Sequence, residues 1–155
     1  MTDDSAREVR IERTFEASAE DVFDAWTSEE VMRRWFHAGR DWETPSAEVD
    51  LRVGGTVRVV MRRPDGTEAG GSGEYTVVER PHRLAFTWTF DDAPSNQQMI
   101  ELELSEEDGV TTVLFVNSDI SNDERRDAQQ DGWLRCFDNL DRALTASSPR
   151  TGDER

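Results

Sequence analysis

The chain's only imidazoles are His37 and His82, and its only thiol is Cys136. A zinc site takes three or four protein ligands, usually closely spaced. These three residues fall in two separate loops and on a helix, so no metal is expected. His82, beside Pro81 in a turn, reads as solvent-facing. His37 follows Trp35-Phe36 at a helix end, where it either complements the helix dipole when protonated or lines the mouth of a cavity. Cys136 falls on an apolar stripe between Trp133 and Leu140 and reads as a small buried hydrophobe. A reactive thiol needs exposure and nearby positive charge, and Arg135 lies roughly 100° away around the helix. "GGSGEY" at 70–75 has Glu74 where a nucleophile elbow requires glycine. Gly54-Gly55 precedes no helix, so it cradles no phosphate. Glu101 and Glu103 share one side of a strand. They form an acid–base pair only if that side faces a cavity; a solvated face is the expectation. No catalytic residue and no cofactor is assigned.

The other chemistry-bearing stretch is "DERRDAQQDGWLRCFDNLDRAL", Asp123 to Leu144. From Trp133 onward it carries an apolar face of Trp133, Cys136, Phe137, Leu140, Ala143 and Leu144. Upstream the same face carries Gln130, Gln129 and Arg126. Buried polar groups left unpaired cost about 1–3 kcal/mol each. The upstream half therefore either rises into water or faces a cavity holding water or the polar end of a ligand. Gly132, at the change, permits a bend or a close approach of the sheet. The five tryptophans, Trp26, Trp35, Trp42, Trp88 and Trp133, suit a core and also the walls of a binding cavity. Trp42, in a polar loop, is either a lid or a cover for the sheet edge. The candidate ligand-binding set is thus Trp133, Phe137, Trp88, Phe86, Phe90, Met61, Trp35, His37 and Trp42 for walls and mouth. Gln129, Gln130 and Arg126 would address a polar end.

These residues need a scaffold. "VRIERTF" from Val9 alternates as a strand. Ser18 caps a helix carrying Val22, Phe23 and Trp26, and Thr27 or Ser28 caps a second one ending at Trp35-Phe36. "HAGRDWETPS" reads as a loop. Strands are then predicted at Ala47 to Val53 and within "TVRVVMRR", "GEYTVVER", "RLAFTWTF", "QMIELELS" and "VTTVLFVN". Gly54-Gly55, Pro64-Asp65-Gly66 and the glycines of 70–73 are read as hairpin residues. The last helix is predicted over Asp123 to Leu144, about 33 Å for some 22 residues, with Asn122 and Ala146 as its outer bounds. One strand, two short helices, six strands in meander and one long helix make an α+β fold. An antiparallel sheet must cover its apolar face, and only the last helix is long enough to do so. Residues 1–7 and 147–155 read as polar, flexible ends flanking one domain over 8–146.

Asp and Glu number 34 against 18 basic residues, all of them arginine. A net charge of −16 argues against phosphate-neutralising binding of nucleic acid and against an anionic membrane surface. The same surplus suits a high-salt, halophilic habitat. One cysteine excludes an internal disulfide and fits a reducing compartment. The N-terminus has no signal-peptide pattern, and no apolar run approaches the roughly 18 residues of a membrane span. A cytoplasmic protein, monomeric or homodimeric, is expected.

The element order resembles the helix-grip fold of the START-like (SRPBCC) superfamily. Five segments in order are similar to the single-domain homologues of the activator of heat-shock-protein-90 ATPase: "ASAEDVFDAWTSEEVMRRWF" at 17–36, "EVDLRVGGTVRVVMRRPDGT" at 48–67, "GEYTVVERPHRLAFTW" at 73–88, "GVTTVLF" at 109–115 and "DGWLRCFDNLDRAL" at 131–144. Ala19 stands where family members often have proline, and Phe137 where they often have leucine; both keep the physical role. The resemblance implies an antiparallel curved sheet of about seven strands gripping the C-terminal helix, with a small hydrophobic or aromatic ligand held between them. Two alternatives follow from it. One is a stress-related chaperone accessory. The eukaryotic activator, however, draws much of its stimulation from a separate N-terminal domain for which this chain has no counterpart. The other is a polyketide cyclase- or hydrolase-like enzyme on the same cavity, for which Arg126, His37 and Glu101 are the only titratable candidates.

Overall fold

The computed structural model describes residues 7–147. The flexible ends expected at 1–7 and 147–155 therefore lie, except for Arg7 and Ser147, outside the described residues. The elements are β1 Val9–Phe15, α1 Ala19–Thr27, α2 Glu29–Trp35, β2 Glu43–Val49, β3 Thr56–Arg62, β4 Glu68–Glu79, β5 Arg83–Phe90, β6 Gln98–Glu107, β7 Val110–Ser118 and α3 Asp123–Ser147. The strands form one antiparallel sheet in the order β1-β7-β6-β5-β4-β3-β2. It curls as a half-barrel with α3 in its concave face, the expected helix-grip α+β architecture. No described helix is long and apolar enough to cross a membrane.

Local chemistry sets the helix ends. The Ser18 hydroxyl accepts from Asp21 N at 3.1 Å and starts α1. Ser28 both ends α1 and caps α2, accepting from Val31 N at 3.4 Å. Thr27 is not the cap; its hydroxyl donates back to Phe23 O. Asn122 caps α3 by accepting from Arg125 N at 2.8 Å. A dense aromatic core fills the grip. Trp26 packs on Trp35, Phe36, Phe115, Trp133 and Phe137, and Phe15 stacks on Phe137.

Two readings of the strands are corrected. Strand β2 runs over Glu43–Val49, beginning in the presumed loop and ending before Leu51 and Val53, which are 39% and 63% exposed. The chain turns at Asp50, where Gly55 N donates to Arg52 O and Gly54 takes a positive φ of 88°. Pro45 fits within β2 because this is an edge strand, with a register shift between Glu43 and Ser46. The glycines of 70–73 are strand interior, not hairpin. A Cβ on Gly71 would stand 2.4 Å from Trp88 Cζ2, and one on Gly73 only 1.6 Å from Thr87 O. Bare backbone at Gly71 is what admits the Trp88 indole, which is completely buried.

Both sheet edges are guarded. Beside β1, Arg126 Nε of α3 donates to Glu8 O at 3.0 Å, and Arg13 pairs with Asp138. At β2 the Glu29 carboxylate of α2 accepts from Val49 N at 2.8 Å. Such cover disfavours edge-to-edge association. The close approach at Gly73 makes a sharp test. Gly73→Ala forces β4 and β5 apart and is expected to lower unfolding free energy by about 3 kcal/mol, read from urea denaturation. A loss below about 0.5 kcal/mol would show that the strands have slack there.

Candidate functional site

A cavity of about 910 Å³ lies between α3, the β3–β5 region of the sheet and the α2–β2 connection. Phe36, Trp42, Met61, Phe90, Gln129 and Trp133 are among its lining residues, with Cys136 beside them. Arg63, Arg125, Asp92 and Glu124 stand at its border. Each element contributes for a local reason. Met61 lies on the inward-facing set of β3 with Val57 and Val59. Phe90 pairs with Gly71, so it shares the face on which Trp88 lies. Trp42 folds over Gly39, where a Cβ would sit 2.5 Å from its ring, and the Arg63 guanidinium covers it 5.1 Å from the ring centroid. Trp42 therefore forms part of the cavity wall, clasped by Arg63.

Within the polar half of the α3 face, Gln129 turns to the sheet rather than to bulk water. Gln129 Nε2 donates to Gln98 Oε1 at 2.9 Å and to Asn117 Oδ1 at 2.7 Å. Gln98 Nε2 donates back to Gln129 Oε1 at 3.1 Å and also to Asn96 Oδ1. Asn117 Nδ2 donates to Gln98 Oε1 and Met99 O, while Trp133 Nε1 donates to Asn117 Oδ1 at 3.0 Å. Gln98, Asn117 and Gln129 are all buried. Helix and sheet answer one another with matched amides. Strand alternation carried the missing signal: Gln98 is in phase with Ile100 and Leu102, and Asn117 with Val113 and Phe115. Each therefore projects its amide toward the face that carries Gln129.

The remaining candidates divide as follows. Trp42, Met61, Phe90, Gln129 and Trp133 meet at the cavity. Trp35, Phe86, Trp88 and Phe137 are core residues away from its lining, because the aromatic cluster consumes them. Arg126 lies at the β1 edge. Gln130 is half-buried, its side-chain oxygen without a hydrogen-bond partner in the structure. Glu101 and Glu103 are exposed on the convex face, over a hollow of about 280 Å³, so they form no acid–base pair in the cavity. Gly132 is not pressed by the sheet: a Cβ there would meet only Ala38 Cβ, at an ordinary 3.4 Å. Its missing side chain widens the cavity.

His37 and Cys136 belong to a joint behind the cavity. Thr44 Oγ1 donates to Phe36 O, so the 2.7 Å contact between His37 Nδ1 and Thr44 Oγ1 requires Nδ1–H. His37 O accepts from Asn139 Nδ2 at 3.0 Å and from Cys136 Sγ at 3.2 Å. Burial, with Arg142 nearby, lowers the His37 pKa despite Glu43. Burial pushes the Cys136 thiol up to about 12, which leaves it in the unreactive form near neutrality. His82 is exposed, as its turn position implied. No cluster of three or more metal-ligating side chains occurs among the described residues.

A family model described as Activator of Hsp90 ATPase homolog 1-like protein matches residues 16–145. Among solved structures, an AHSA1-like protein from Aeromonas hydrophila is 29% identical, the match covering 96% of this chain and 99% of that one at a TM-score of 0.78. A protein from Rhodobacter sphaeroides is 25% identical, with 96% and 99% covered at a TM-score of 0.80. DynU16, from the dynemicin biosynthetic locus, shares the fold at 24% identity and a TM-score of 0.73, this chain spanning 49% of its length. No curated protein matches.

Two measurements check the site's architecture. Asn117→Leu strands the Trp133 indole N–H and one Gln129 amide hydrogen, and is expected to lower stability by about 3 kcal/mol; a change within about 0.5 kcal/mol would contradict the cluster. His37 has a lowered folded pKa, so the native state resists a proton that the unfolded state accepts below about pH 6.5. Stability should be fully present above that value and decline as pH falls. Between pH 7.5 and 5.5 the wild type should therefore lose more stability than His37→Gln; equal losses would remove His37 as the cause.

Proposed function

Because the chain belongs to the Activator of Hsp90 ATPase homolog 1-like family, within the START-like (SRPBCC) superfamily, we propose that it binds a small apolar or aromatic molecule between α3 and the sheet. The observation that carries this reading is the cavity itself. Its volume of about 910 Å³ lies within the range of roughly 300–1,000 Å³ typical of small-molecule sites. Phe36, Met61, Phe90 and Trp133 give it an apolar wall, while Arg63, Arg125 and Asp92 give it a charged border. Such a division suits a ligand with a largely apolar body. Rigid aromatic walls lose little side-chain entropy when a ligand seats, which favours binding.

An enzymatic reading needs a proton-transfer group against the ligand. Of its three candidates, Arg126 is bonded to Glu8 O, His37 lies in the joint with Thr44, and Glu101 is on the convex face. Cys136 holds its proton and gives it to a backbone carbonyl. Three of the four carboxylates at the border are ion-paired, Asp91 with Arg58, Asp92 with Arg125 and Glu68 with Arg62, and the fourth, Glu124, is exposed. Binding without chemistry is therefore the reading favoured.

Trp133 and Trp42 make occupancy observable. Titration with a panel of fatty acids, flavonoids and naphthalene derivatives should change intrinsic tryptophan emission and raise Tm for at least one class. Gly132→Leu puts a side chain into the cavity and should weaken that ligand about tenfold or more, with unchanged far-UV circular dichroism. No response from any member of the panel would overturn the proposal.

A further inference from the structure

The amide cluster decides what a ligand's polar end can be. Its orientation follows from two groups with fixed roles. The Trp133 indole N–H only donates, so the Asn117 atom it meets is the oxygen; Met99 O only accepts, so the atom Asn117 offers it is the nitrogen. Gln129 must then present its nitrogen to Asn117 Oδ1, and Gln98 its oxygen to Asn117 Nδ2. Every hydrogen in the cluster is engaged. Gln129 gives one to Gln98 and one to Asn117, Gln98 gives one to Gln129 and one to Asn96, Asn117 gives one to Gln98 and one to Met99 O, and Trp133 gives its single hydrogen to Asn117.

The acceptors are filled unevenly. Gln98 Oε1 and Asn117 Oδ1 each receive two hydrogens, while Gln129 Oε1 receives one. A carbonyl oxygen has two lone pairs, so the unused capacity of these side-chain oxygens is one acceptor position on Gln129. Gln129 is also the one of the three amides that lines the cavity: it is 8% exposed, against 1% for Gln98 and none for Asn117. Cys136, also at the wall, has its thiol hydrogen engaged by His37 O. Trp133, Gln129 and Cys136 thus offer a ligand no free side-chain donor. The donors among the lining residues belong to other side chains: the Trp42 indole, the Asn122 amide and the guanidinium groups of Arg58, Arg63 and Arg125.

We propose that the cavity selects a molecule whose buried end carries a hydrogen-bond donor, an alcohol, phenol or N–H group, received by Gln129 Oε1, and disfavours one whose buried end is a carboxylate or an ether. This rests on the ligand-binding reading above. An acceptor brought against Gln129, Trp133 and Cys136 loses water and finds no free donor there, a full desolvation cost; a donor finds a lone pair already held in place.

Calorimetric titration with 2-naphthol, 2-methoxynaphthalene and 2-naphthoate separates the cases, since the three share an apolar body. The expected result is 2-naphthol bound about tenfold more tightly than the ether, with the carboxylate no tighter than the ether. An ether equal to or tighter than the naphthol overturns the selectivity while leaving the cavity as a binding site. A carboxylate that binds tightest also overturns it and points to the arginines at the border. If none of the three binds, this inference falls, and the wider panel above decides the ligand-binding reading. Gln129→Met gives a second readout: the naphthol-to-ether ratio should collapse to about one. Should that variant not fold, the wild-type series decides alone, and a ratio that persists in a folded variant overturns the role of Gln129.

Discussion

The position of α3 on the sheet depends on one buried hydrogen-bonded cluster, Gln98–Asn117–Gln129–Trp133. Apolar packing beneath the helix is strong but non-directional. Phe137, Leu140 and Ala143 would tolerate small slides along the groove. Donor-to-acceptor matching does not. Shift α3 by one turn and Gln129 meets apolar strand residues while Asn117 and Gln98 lose their partners, each loss carrying a desolvation penalty of about 1–3 kcal/mol. A fully satisfied buried network therefore adds little net stability while rejecting other registers.

A second fastening lies further along the same helix. Cys136 and Asn139 both donate to His37 O, in the connection between α2 and β2. The helix is thus tied to the sheet at Gln129 and Trp133 and to that connection at Cys136 and Asn139, with the cavity beside this span. Small residues keep the space open. Gly132 leaves room on the helix, Ala69 and Gly70 line the sheet side, and Gly71 takes the Trp88 indole into the sheet so that this large ring stays out of the cavity. Collapse would require moving aromatic groups that are already packed in the core.

Element order and fold class were legible because each rests on a repeating pattern. Alternation marked the strands, Ser18 marked the first helix start, and the stripe from Trp133 to Leu144 marked the core-facing helix. Boundaries failed where tertiary contact overrode local signal. Glycine clusters normally signal turns, yet Gly71 and Gly73 serve β4 because Trp88 and the Thr87 carbonyl press against them. Leu51 and Val53 alternate like a strand, yet hydrogen bonding at Asp50 and Gly55 turns the chain there. Within the site, Gln129 stands out in the sequence as a polar residue on an apolar helix face, which points to water or a ligand. Gln98 and Asn117, at core-phase strand positions, are the partners that answer it instead. Arg126 and Phe137 share the α3 face with Trp133 by periodicity. The width of that face then lets one serve the β1 edge and the other the aromatic core.

The cavity is chemically polarised, and the polarity bears on what kind of protein this is. Its wall carries aromatic rings and a thioether, and at Gln129, Trp133 and Cys136 the side-chain hydrogens are already committed. Ionisable groups occur at the border, most of them in arginine–carboxylate pairs. Those pairs are largely exposed and each adds little to stability, but together they place the site's charge at the entrance. Acid–base catalysis demands the reverse arrangement, with a titratable group inside and desolvated against the substrate. On the reading proposed above, Gln129 Oε1 receives the ligand's donor and the ligand's body lies along the rings.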